Sequence, residues 1–157
     1  MAKRQTHRMQ VATDTATLAV FDPARVRHRL DSPADWWTWP PDVLADLNAG
    51  NLLPVDLGSD GVYAVVVHLD EDRPPAGAGP VVSGLVGCDS GAVFIGPGEQ
   101  ISGARLEPDE ALGGVRLPAP AGTYRVHVAR DGDDGLELWL EPVAGPPANT
   151  FTDYPRL

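Results

Sequence analysis

Gly122-Thr123-Tyr124-Arg125-Val126-His127-Val128-Ala129, then Asp131-Gly132-Asp133-Asp134-Gly135, then Leu136-Glu137-Leu138-Trp139-Leu140-Glu141: these stretches decide the reading of the fold. In the first, Tyr124, Val126 and Val128 alternate with Arg125 and His127, and the third alternates in the same way. A period of two sends alternate side chains to opposite faces of a strand. The Asp/Gly segment between them has the composition of a hairpin loop.

Working towards the N-terminus, the same signature recurs. Val115-Arg116-Leu117 is a weak strand, Gln100 to Leu106 another, and Ala92 to Ile95 and Val81 to Val86 are short strands punctuated by glycine. Val62 to Leu69 is apolar on both faces and reads as a central strand. Leu52 to Leu57 precedes it across the turn Gly58-Ser59-Asp60-Gly61. Further back the period changes. Asp22-Pro23 supplies a cap and a first-turn proline for a short helix over Ala24 to Leu30, whose other face carries Arg25, Arg27, His28 and Arg29. A second short helix runs from Asp42 to about Asn48, with Val43, Leu44 and Leu47 as its stripe and Gly50 as its stop. Val11 to Phe21, rich in β-branched residues, is the first strand.

The expected architecture is mainly β. It is an antiparallel β-sandwich or flattened barrel of about seven to nine strands, with one or two short helices inserted after the first strand. Residues 1–10 are expected as a flexible tail and 11–141 as one β-rich domain. Residues 142–157 form a Pro-rich tail that packs in part through Phe151 and Tyr154.

Composition agrees with this and excludes several functions. The chain has 157 residues, a size that suits one core. Gly 17 and Pro 16 suit many short elements joined by tight turns. A net charge of −10 is repelled by phosphate backbones and by anionic membranes, and it favours a basic protein partner. The single cysteine, Cys88, permits no internal disulfide, and no apolar run follows the basic N-terminus, so a cytoplasmic location is expected.

No residue set carries recognisable catalysis. Counted from Asp131 against a calcium-binding loop, the glycine position falls on Leu136 and the final glutamate position on Pro142, so that motif fails. Asp70-Glu71-Asp72 has nothing that fixes two carboxylates across a bond. Cys88 has no histidine near it in sequence, and neither Ser59 nor Ser90 lies in a nucleophile elbow. His68 and His127 sit in strands without metal-ligand spacing, and the glycine clusters lack a phosphate-cradle pattern. Neither a cofactor nor a metal is expected.

The remaining feature is Trp36-Trp37-Thr38-Trp39, three tryptophans between prolines. Aromatics beside polar loops serve as interface anchors or as platforms for sugar rings, and they also bury themselves beneath inserted helices.

Thr13-Asp14-Thr15-Ala16-Thr17-Leu18, Asp35-Trp36-Trp37, Asn48-Ala49-Gly50-Asn51, Gly58-Ser59-Asp60-Gly61 and Ile95-Gly96-Pro97-Gly98-Glu99 together resemble a small bacterial family of unknown function. That resemblance implies no activity. Pro120-Ala121-Gly122-Thr123-Tyr124-Arg125-Val126 is similar, more distantly, to a strand entry in β-sandwich proteins that include a competence-nuclease inhibitor and toxin-immunity proteins. The resulting expectation is a non-enzymatic cytosolic binding protein, of an immunity or inhibitor kind, for a basic toxin or nuclease. Its contacts would be Trp36, Trp37, Trp39, Asp70, Glu71, Asp72, Asp131, Asp133 and Asp134. A structural or assembly subunit and a small-molecule or carbohydrate-binding sandwich are the alternatives.

Overall fold

A computed structural model describes residues 5–69 and 80–157. Among these, nine strands form two sheets: β1 Gln5–Thr13, β2 Thr17–Phe21, β3 Leu53–Asp56, β4 Gly61–Leu69, β5 Val81–Cys88, β6 Ala92–Pro97, β7 Val115–Pro118, β8 Gly122–Arg130 and β9 Gly135–Val143. One sheet has the order β1-β4-β9-β8-β5 and the other β3-β2-β6-β7. Neither closes on itself, so the molecule is a sandwich and not a barrel. Pairing is antiparallel except between β4 and β9, which run parallel.

The alternation in the last two strands works as the sequence suggests. β8 and β9 form the hairpin, in register from Thr123↔Val143 to Arg130↔Leu136. Tyr124, Val126, Val128, Leu136, Leu138 and Leu140 face inward and meet Leu18, Val20, Val55, Val93 and Ile95 of the other sheet. Burying each such side chain contributes roughly 1.5–3 kcal/mol, so a register slip of one residue would forfeit the core.

Strand β2 is buried at all five positions, on both faces. Its outer face is covered by the insertion between β2 and β3. That insertion comprises a 3-10 segment Pro23–Arg29, a 3-10 turn Trp36–Thr38 and helix α1, Pro40–Asn48. Ala19, Phe21, Val26, Trp36, Trp37, Val43, Leu52, Phe94 and Ile101 form this second apolar layer. Gly50 ends the helix with φ 72, as its composition suggests.

Two expectations are corrected. The region read as a tail and one strand is two strands in different sheets, β1 from Gln5 and β2. The chain turns at Ala16, with φ 52 in the left-handed region, and the Glu99 carboxylate binds the turn by accepting from Thr13 Oγ1, Thr15 Oγ1 and Asp14 N. Gln100 to Leu106 is a loop that leaves the 3-10 turn Gly98–Gln100, because Ala104 N and Arg105 N donate to Ser32 and Leu30 carbonyls instead of to a strand. Strand β4 is a central strand as expected, between β1 and β9, and it buries Tyr63, Val65, Val67 and Leu69 while Val62 and Ala64 are exposed.

The C-terminal residues pack. Asn149 Nδ2 donates to the Leu47 and Leu85 carbonyls, and its Oδ1 accepts from Leu85 N, so one side chain occupies the free edge of β5. Asp56 N donates to Pro155 O and Leu157 N to Asp56 O, which covers the edge of β3. No helix among the described residues is long and apolar enough to cross a membrane.

Candidate protein-interaction surface

Strand pairing gathers three loops at one end of the sandwich. The β1–β2 turn holds Asp14, the β3–β4 turn holds Asp60, and the β8–β9 hairpin holds Asp131, Asp133 and Asp134. Thr13 pairs with Gly61, Leu57 N donates to Ala16 O at 2.7 Å, and Ala64 N donates to Asp134 O at 2.8 Å. The Arg130 guanidinium donates to Leu57 O, tying the hairpin to the neighbouring turn. All five aspartates are exposed. Asp131 N donates to Gly135 O and closes the hairpin, which leaves its carboxylates facing water. Glu99 lies at the same end. Burial pushes its carboxyl up, but hydrogen bonds from Thr15, Asp14 N and Thr13 outweigh that and hold it below its ordinary value.

Of the residues expected as contacts, Asp131, Asp133 and Asp134 are brought together here. Asp70, Glu71 and Asp72 lie outside the described residues. The tryptophans separate. Trp36 and Trp37 are 3% and 5% exposed, whereas Trp39 is 63% exposed. Trp36 donates from Nε1 to Ser102 O at 2.7 Å, and the Arg29 guanidinium lies 4.4 Å from its ring centre. Trp36 and Trp37 are therefore packed beneath the insertion, and Trp37 also lines a cleft beside Thr17 and Val43. The outer face of β2 needs an apolar cover, and the two tryptophans supply it. The ring-stacking platform invoked for a carbohydrate ligand loses two of its three members.

The basic cluster of the insertion is neutralised from within. Asp46, itself buried, accepts from His28 Nε2, Arg29 Nε and Asn51 Nδ2, each at 2.7 Å. Arg25 pairs with Asp89 at 3.2 Å and Arg27 lies 3.8 Å from Glu107. Cys88 is buried, and that burial raises its thiol above the ordinary value, which suits packing and not nucleophilic attack.

Sequence reasoning missed Asp14 and Asp60, which are single acids beside turns and become a surface only through long-range pairing. It also missed a row across the outer face of the larger sheet, where Thr6, His68, Trp139, His127 and Ser83 are successive partners. In it His68 stacks on Trp139 with ring centres 5.4 Å apart and meets Glu137 at 3.0 Å. Ser83 Oγ lies 2.6 Å from His127 Nδ1, and Glu141 lies 3.5 Å from its Nε2. No group of three or more metal-ligating side chains converges among the described residues.

The fold has solved counterparts. A structure described as crocagin biosynthetic gene J is similar with a TM-score of 0.62 at 16% identity, covering 91% of this chain and 100% of that one. ComJ from Bacillus subtilis, described as an inhibitor of the DNA-degrading activity of NucA, is similar with a TM-score of 0.58 at 10% identity, covering 90% of this chain and 100% of that one. At these identities the likeness shows a shared fold. No curated protein matches the sequence. A family profile matches residues 4–156, and the chain belongs to that family, DUF6386, a family of unknown function.

Proposed function

We propose that this protein is a non-enzymatic binding protein of the inhibitor or immunity kind, which presents its acidic end to the basic cleft of a protein partner such as a nuclease. The observation that carries this reading is the convergence of Asp14, Asp60, Asp131, Asp133 and Asp134 from three loops onto one exposed end. An enzyme that cuts nucleic acid must present cations to phosphates, and an array of carboxylates on a rigid scaffold competes for those cations. The shared fold with ComJ, itself described as inhibiting a nuclease, supports the same direction.

The test is a DNA-degradation assay with a panel of basic nucleases, including any encoded by the native organism. Inhibition is expected at a stoichiometric ratio. The variant Asp131→Asn/Asp133→Asn/Asp134→Asn should associate about ten-fold more slowly at low salt, with the difference shrinking as salt rises. Undiminished degradation with protein in excess, or a variant indistinguishable at every salt concentration, would sink the reading.

A further inference from the structure

We propose that the acidic end contains a cleft built to receive an arginine of the protein partner, and that the chain's own Arg156 stands in for it in the free protein. This deepens the function proposed above and rests on it for the partner's identity. The cleft, about 320 Å³, lies between the β1–β2 turn, the start of α1 and the C-terminal residues. Trp37, Val43 and Leu44 give it apolar walls, while Asp56 and Asp153 bring carboxylates to it. That combination suits a long side chain with an aliphatic stem and a cationic head.

The present occupant is loosely held. Arg156 Nε lies 3.5 Å from Asp56 Oδ2, longer than a charge-assisted hydrogen bond of about 2.7–2.9 Å, and its side chain is 70% exposed. Asp56 itself is oriented, because Gly58 N donates to its Oδ1 at 2.8 Å. Its second oxygen is thus presented to a cation that water and the cleft share. Tyr154 forms another wall, its hydroxyl enclosed beside Thr17. A planar guanidinium, with five donors in a fixed fork, can address the carboxylate and a second acceptor together; a lysine ammonium is a compact point charge. The negative field of Asp14, Glu99 and Asp153 acts on either head group, so geometry and not charge selects arginine.

The experiment titrates the full chain with the blocked tripeptide glycyl-arginyl-glycine, followed by two-dimensional NMR at low salt. Lysine and citrulline versions of the peptide serve as controls. The arginine peptide should move the Trp37 indole and the Thr17, Thr38 and Asp56 amides, with a dissociation constant on the order of millimolar. Asp56→Asn should abolish the response. Arg156→Ala should tighten it, by about two-fold if Arg156 occupies the carboxylate half of the time. A merely structural ion pair predicts no gain from removing Arg156, so weaker or unchanged binding in that variant overturns the proposal. Shifts that map elsewhere, or equal binding of the lysine or citrulline peptide, also overturn it. Nuclease inhibition that persists in Asp56→Asn, with no peptide bound, overturns the cleft and leaves the inhibitor reading standing. Arginine-specific binding without inhibition of any nuclease does the reverse.

Discussion

Asp22 shows how much one side chain carries in this fold. It is fully buried, yet its two oxygens accept from Ala24 N, Asp89 N, Ser90 N and Ser90 Oγ at 2.6–3.0 Å. Burial pushes its carboxyl up, but the hydrogen bonds from Ser90, Ala24 and Asp89 together outweigh that and hold it below its ordinary 3.8. The lowered group stabilises the fold fully above the unfolded value, and this contribution disappears as pH falls through the folded one. Glu99, lowered from 4.5 by its own bonds, acts in the same sense. Urea midpoints should therefore be flat above about pH 5 and fall below about pH 4. Asp22→Asn should cost about 1–3 kcal/mol at neutral pH and flatten the acid limb, since it removes one titrating group and leaves buried donors poorly matched. An acid limb unchanged in that variant would show that other carboxylates control it.

The insertion between β2 and β3 is the element that decides how the tryptophans are used. Its 3-10 segment and α1 are joined through Asp46, which fastens His28 and Arg29 of one to the helix that carries it. Trp36 then fills the space over β2, whereas Trp39 sits at the N-cap of α1, where its carbonyl accepts from Asp42 N and Val43 N and its ring is left in water. Trp36→Ala should accordingly cost about 3–5 kcal/mol in a urea titration, through the cavity it leaves. Trp39→Ala should cost far less, about 0.5 kcal/mol, because most of its ring is in water and little packing is lost. Equal costs would mean that the insertion does not pack as described.

At the scale of the whole molecule, the two sheets are joined by apolar contact and by the chain ends. The Asn149 side chain pairs with the edge of β5 and reaches Leu47 on α1, linking sheet, insertion and C-terminus through three hydrogen bonds. Asn149→Ala would leave buried backbone groups unserved and should cost about 1–3 kcal/mol. Hydrogen exchange offers a local check, with the Leu85 amide losing protection before the β8–β9 amides do. If Leu85 kept its protection, the C-terminal residues would not be what closes that edge.

The alternation in Tyr124–Val128 and Leu136–Leu140 is a local property, and it determined a hairpin with one apolar face whatever the rest of the chain did. Composition likewise determined a mainly β molecule with an acidic surface, because turn residues and charge are counted without coordinates. Other features depend on partners distant in sequence, and only the tertiary structure decided them. Val11 to Phe21 reads as one strand until Glu99 clasps Thr13 and Thr15 and turns the chain at Ala16. Trp36, Trp37 and Trp39 are equivalent in sequence, and the uncovered face of β2 distinguishes them. Asp14, Asp60 and the 131–134 loop are far apart along the chain, and they share one end only because β1, β4 and β9 are neighbours in one sheet. Local periodicity sets which face a residue takes; long-range pairing sets what that face meets.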